Sequence, residues 1–193
     1  MEKTRVGFAL TGSFCTFSEV IPEMARLAGQ NYDITPIMSF AASGMDTRFG
    51  KASDIISEIE TICGREVIST IEKAEPIGPK KLLDILVIAP CTGNTLGKLA
   101  NGIFDTPVTL AAKSHLRNQR PVIIGVSTND ALSSSYKNIG TLCNAKNIYF
   151  VPMRQDAPEN KPNSMIADFK KLEEAMLYAL NNRQIEPLIF QTE

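Results

Sequence analysis

The chain has 193 residues, 44% of them hydrophobic and 21% charged, which is enough to bury one sizeable core and fits a single domain over 1–193. A net charge of −1, with Lys and Arg scattered, excludes a nucleic-acid or membrane surface as the partner. No apolar run approaches the roughly 18–20 residues that cross a bilayer, and the opening residues lead into a strand and not a signal peptide, so a cytoplasmic chain is expected.

Arg5–Thr11 (RVGFALT) is the first apolar run bounded by turn residues and predicts a buried strand. The loop after it, "TGSFCTFSE", opens a helix over Thr16–Ala28. Gly12 lets backbone approach a ligand there, and Ser13 and Thr16 offer hydroxyls at a helix start, which suits an anion such as phosphate. An ordinary strand-to-helix turn reads the same way. A GxGxxG fingerprint is missing, which argues against a dinucleotide.

Tyr32–Ser39 predicts the second strand, followed by "FAASGMDTRFG". Ser39 is placed to hydrogen-bond a ligand, and Ala41 and Ala42 leave room for a flat ring. Arg48 presents a planar fork suited to a carboxylate or phosphate, with a local pair to Asp46 as the alternative. A helix over Ser53–Cys63 and a short strand near Glu66–Thr70 come next.

Asp84–Pro90 (DILVIAP) is a strand that Pro90 ends, and Gly93–Asn101 is the helix after it. Between them Cys91, Thr92 and Gly93 put no bulk above the backbone, while Asn94 and Thr95 add polar side chains. Such a loop offers a platform for a planar heterocycle, or a capped tight turn. The helix Thr106–Asn118 carries the one histidine, His115, read as a surface residue. Pro121–Ser127 is a strand, and "STNDALSSSYKN" after it either completes the site or forms a solvated turn. A helix over Ser134–Ala145, a strand over Asn147–Pro152, the irregular segment Arg154–Asn163, expected as a lid or a partner-facing loop, and a helix over Ser164–Asn181 finish the chain.

This alternation predicts a Rossmann-like, flavodoxin-type α/β sandwich of three layers, a parallel sheet with helices on both faces. Ligands of such folds bind beyond the carboxyl ends of the strands, where the unusual loops lie. The four cysteines (Cys15, Cys63, Cys91, Cys143) show no metal-ligand spacing and read as reduced packing residues, with thiol chemistry as the alternative; no metal is expected.

The stretch "APCTGNTLGKLANGIFDTPVTLAAKSHLRNQRPVIIGVSTN" resembles the flavoprotein family of phosphopantothenoylcysteine decarboxylases and flavin prenyltransferases, whose Pro-Ala-Ser-Ala-Asn-Thr signature aligns with Pro90–Thr95. The resemblance implies bound FMN. Its phosphate would lie at Gly12, Ser13, Phe14 and Thr16, with Ser39 near the ribityl chain or ring edge. The isoalloxazine would lie over Pro90, Cys91, Thr92, Gly93, Asn94 and Thr95, with Thr128 and Asn129 closing the other side. More narrowly, "MDTRFG", "AEPIGPKKLLDILVIAP", "STNDAL" and "KNIYFVPMRQDAPENKPNSM" are similar to the family of bacterial dipicolinate synthase B subunits. That likeness implies oxidation of dihydrodipicolinate to dipicolinate in spore-forming bacteria and a nicotinamide-binding A subunit as partner. It also implies a homo-oligomer, trimer or dodecamer, and Arg48, by its own fork of donors, is the candidate contact for a substrate carboxylate. The decarboxylases' histidine would fall near Pro76, their Pro-x-Met-Asn motif at Ser127–Asp130 and the prenyltransferases' tyrosine at Glu159, and none of these is matched. A flavin-dependent decarboxylase or prenyltransferase and a non-catalytic flavin-binding regulatory subunit are the alternatives. No residue is assigned as catalytic acid or base.

Overall fold

In a computed structural model, which describes residues 3–191, the apolar runs pair into one sheet; residues 1, 2, 192 and 193 of the expected 1–193 domain lie outside the described residues. The strands β1 (Thr4–Leu10), β2 (Tyr32–Met38), β3 (Ile85–Cys91), β4 (Val122–Thr128) and β5 (Ile148–Phe150) are parallel, in the order β2-β1-β3-β4-β5. Their side chains alternate between two cores. Phe8, Leu10, Ile85 and Val87 face one layer, and Ala9, Leu86, Ile88 and Ile124 the other.

The first layer holds α1 (Phe17–Ala28), α2 (Phe40–Gly44), α3 (Ala52–Cys63) and α8 (Leu172–Leu180); the second holds α4 (Ile71–Ala74), α5 (Gly93–Ala100), α6 (Pro107–Leu116) and α7 (Tyr136–Cys143). Each longer helix turns an apolar stripe inward, as in Phe17, Val20, Ile21, Met24 and Leu27 of α1. Among the described residues no helix is long and apolar enough to cross a membrane.

The sheet is mixed and not wholly parallel. Two further strands, β6 (Met153–Gln155) and β7 (Met165–Ala167), form an antiparallel hairpin, and β7 pairs with β4 at Ser127 and Thr128. β4 therefore changes neighbour along its length, with β5 beside Val122–Ile124 and β7 beside its end. The expected helix over Ser164–Asn181 thus splits, because Met165–Ala167 finds a strand partner and Asp168 accepts from Lys170 N at 3.2 Å to start a new turn. The segment Arg154–Asn163 begins as β6 and is otherwise the hairpin connection. Around Glu66–Thr70 only Ile68 pairs, bridging Ile37 at the outer edge of β2.

Pro90 does not end its strand. A register irregularity between Ile88 and Cys91 carries β3 one residue further and turns Cys91 into the second core beside Leu96. His115 is buried, 1% exposed, and not on the surface: its Nε2 meets the Pro121 carbonyl at 3.1 Å, tying the end of α6 to the start of β4.

Candidate functional site

The loops after β1, β3 and β4 are fastened to one another at the carboxyl end of the sheet. Buried Thr11 donates its hydroxyl to the Pro90 carbonyl at 2.7 Å and accepts from Thr92 N at 3.0 Å. Ser13 and Ser127 share a hydrogen bond of 2.8 Å between their hydroxyls. Thr92 spends its hydroxyl on Thr95 at 3.3 Å, so α5 begins without a side-chain cap and its first amides have no intrahelical partner.

Two cavities meet there, sharing Gly12 and Thr92. The first, about 420 Å³, runs between Ser39, Phe40 and Ala41 on one side and Asn94, Thr95 and Thr106 on the other. Its walls are the starts of α2, α5 and α6, and no acidic residue lines it. Ser39 accepts from Ala42 N at 3.2 Å and Thr106 from Thr109 N at 3.2 Å, so two of the three starts are capped. The second cavity, about 290 Å³, has Phe14, Cys15 and Thr16 on one side and Ser127, Thr128 and Asn129 on another; Phe49 stands at its rim. Asp156, Lys161, Ser164, Met165 and Ile166, all from the hairpin, roof it.

Most sequence-predicted residues therefore come together. Gly12 and Thr92 line both cavities, Ser39, Asn94 and Thr95 the first, and Ser13, Phe14, Thr16, Thr128 and Asn129 the second. Pro90, Cys91 and Gly93 line neither. Ala42, expected beside the ring, is fully buried in the core. A Cβ on Gly93 would stand 2.5 Å from Asp130 Oδ1 and 2.6 Å from Ser135 Oγ, so its bareness admits the neighbouring loop and not a ring.

Asp130 organises that loop. It accepts from Thr128 Oγ1 at 2.5 Å, Ser134 Oγ at 2.7 Å and Ser135 Oγ at 2.9 Å. Burial alone would raise its pKa, but these hydroxyls outweigh it and hold the carboxyl below the ordinary range.

Arg48 is exposed and stacks its guanidinium over Phe49 at 4.8 Å from the ring centre. The Asp46 carboxylate instead accepts from Ala52 N at 2.9 Å, serving the start of α3. Thr47 and Gly50 close the turn with reciprocal backbone bonds of 3.0 and 3.1 Å; Gly50, at φ +146°, takes a conformation that suits glycine.

All four cysteines are free. Burial pushes the Cys91 thiol well up and Cys63 up to about 11, so neither is a ready thiolate. Sequence reasoning did not find Phe49, Thr106, Asp156, Lys161 or Ser164. Thr106 carries a local signal, a threonine N-cap before Pro107 at the first helical position. Asp156 and Lys161 lie in the segment Arg154–Asn163 expected as a lid or partner-facing loop, but no local pattern marks them individually, since their place depends on β7 pairing with β4.

A family model described as Flavoprotein matches residues 1–173. The B subunit of dipicolinate synthase from Bacillus subtilis (strain 168) is 44% identical over 187 residues, 97% of this chain and 94% of that protein. The crystal structure of the dipicolinate synthase B subunit from Bacillus halodurans superposes with a TM-score of 0.90 at 44% identity, covering 98% of this chain and 97% of that one. Burkholderia xenovorans DmrB, solved in complex with FMN and described as a cubic protein cage for redox transfer, shares the fold: TM-score 0.67, 20% identity, 93% of this chain and 97% of that one.

Proposed function

We propose, from the premise that this chain belongs to the flavoprotein family and within it to the dipicolinate synthase B subunits, that it binds FMN and takes part in oxidising dihydrodipicolinate to dipicolinate beside a nicotinamide-binding A subunit. The observation that carries this reading is the pair of cavities joined at Gly12 and Thr92. Their chemistry fits the two ends of FMN. The first has an uncapped α5 start, two further helix starts and hydroxyl and amide groups with no lining acid, which suits a phosphate. The second has Phe14 and Phe49 for a flat ring and the Ser127–Thr128–Asn129 edge for its polar atoms. This orientation reverses the one that the family resemblance implied at Gly12–Thr16.

Bound there, the flavin supplies a two-electron acceptor for hydride. The chain's own residues orient and shield. Thr11 and Thr92 fix the floor between the cavities, Ser13 and Ser127 hold two walls together, and Arg48 on Phe49 offers a cation at the rim for a substrate carboxylate. Phe40 and Met45 are each about half exposed, at 49% and 52%, on segments beside the cavities, and a second copy of the chain would bury them in the homo-oligomer that the family likeness implies.

Turnover of dihydrodipicolinate by the purified chain, alone and with its A subunit, with and without FMN, tests the reading. FMN-dependent oxidation by the complex is expected. Equal rates with and without FMN would remove the flavin's role and favour a non-catalytic subunit.

A further inference from the structure

We propose that Lys161 is a specificity-determining contact for a substrate carboxylate at the second cavity, kept ready by Asp156 and handed over to the ligand. The proposal rests on the reading above, in which the flavin ring enters the second cavity and the dicarboxylate substrate meets it at the open side under the hairpin roof. Among the described residues lining the two cavities, Lys161 is the one cation.

Its position is built and not incidental. In the hairpin connection, Asp156 N donates to the Ser164 carbonyl at 2.9 Å, Ser164 N to the Lys161 carbonyl at 3.0 Å, and Lys161 N to the Ala157 carbonyl at 2.7 Å. The connection is also tied to the loop after β4. Leu132 N donates to the Asn163 carbonyl at 3.0 Å, and the buried Ser164 hydroxyl reaches Asn129 Oδ1 at 3.3 Å. The cation is thus carried on a braced roof over hydroxyl and amide groups.

The pair that holds it is easily exchanged. Lys161 Nζ lies 3.1 Å from Asp156 Oδ2, with half of the lysine side chain exposed, a setting in which an ion pair contributes little. Asp156 Oδ2 is also within 3.3 Å of the Ser164 hydroxyl, whose one proton can turn from Asn129 Oδ1 to the carboxylate when the lysine leaves. A ligand carboxylate inside the cavity, shielded from water on more sides, would offer the ammonium a stronger charge-assisted bond. The competing explanation is a salt bridge that merely fastens the hairpin. The two differ in sign: a fastener makes both partners' removal harmful alike, whereas a competing carboxylate makes removal of Asp156 helpful to the ligand.

The experiment is calorimetric titration of the full chain, FMN-saturated and FMN-free, with pyridine-2,6-dicarboxylate and, as neutral control, pyridine-2,6-dicarboxamide. Lys161→Met is expected to weaken dicarboxylate binding about ten- to a hundredfold and leave the diamide unchanged. Lys161→Arg should restore most of it, and Asp156→Asn should tighten it about threefold even where it lowers the melting temperature. Unchanged dicarboxylate affinity in folded Lys161→Met overturns the proposal. So does weakening by both Lys161→Met and Asp156→Asn, or a wild-type protein that binds the dicarboxylate no better than the diamide. If FMN does not bind while the Lys161 effects appear in the FMN-free arm, the flavin reading falls and the carboxylate contact stands.

Discussion

The two cavities that meet at Gly12 and Thr92 are built by different means. The first is walled by helix starts, so its polar groups are mostly backbone amides and short side chains fixed by local chain geometry. The second is roofed by an antiparallel hairpin that pairs with the end of β4, so its polar groups come from segments far apart in the chain, such as Thr128 and Ser164. A helix start is a rigid anion receptor that hardly depends on side-chain identity. A hairpin roof can vary its side chains at little cost to the fold, and so suits the part of the ligand that differs between relatives.

The hardest break in this arrangement is at the seam between the β3 and β4 loops. Gly93→Val drives a branched side chain into Asp130 and Ser135, and we expect a loss of about 3 kcal/mol in denaturant unfolding together with loss of flavin affinity. Normal stability would mean that the 128–135 loop moves freely away from α5.

Seating of α6, which brings Thr106 to the first cavity, is tested by acid. Burial lowers the His115 pKa to about 4 from 6.5, outweighing the hydrogen bond to Pro121, so the folded chain prefers the neutral ring. Below pH 6.5 the unfolded chain takes up the proton first. Stability present above pH 6.5 should therefore fall as pH drops toward 4, by roughly 3 kcal/mol at most, and His115→Gln should flatten that dependence in unfolding curves taken at each pH.

Thr11→Val attacks the floor common to both cavities. It leaves Thr92 N without its partner and removes a donor from Pro90 O, at a cost of about 2 kcal/mol. Both FMN and riboflavin should bind more weakly by fluorescence quenching, because the damage is shared.

A finer separation comes from Asn94→Asp, which puts a negative charge at the α5 start. FMN affinity should fall about tenfold more than riboflavin affinity, since only FMN carries the phosphate. Equal losses would return the phosphate to the Gly12–Thr16 side. The smallest effect expected is that of Arg48→Met. Its exposed cation over Phe49 should contribute only about two- to fivefold to dicarboxylate affinity and nothing to FMN affinity, as measured by titration.

The sequence by itself determined the alternation of strands and helices, the four loops at the carboxyl ends of the strands, and a set of site residues most of which line the cavities. These follow from short-range rules: strand side chains alternate, turn residues punctuate, and small polar residues open helices. The family resemblance, too, rests on short stretches, of which Pro90–Thr95 with its helix is one and the motifs from Met45–Gly50 to Lys146–Met165 are others. Tertiary structure alone decided the rest. Which way the bare Gly93 faces depends on the loop carrying Asp130, and the direction of Cys91 depends on a register irregularity against β4. The burial of His115 depends on α6 packing against the start of β4. Met165–Ala167 became a strand, bringing Asp156 and Lys161 over the site, because β4 has no β5 beside its last residues and leaves backbone groups to pair. An open strand edge is a property of the assembled sheet, and no local pattern in residues 154–167 records it.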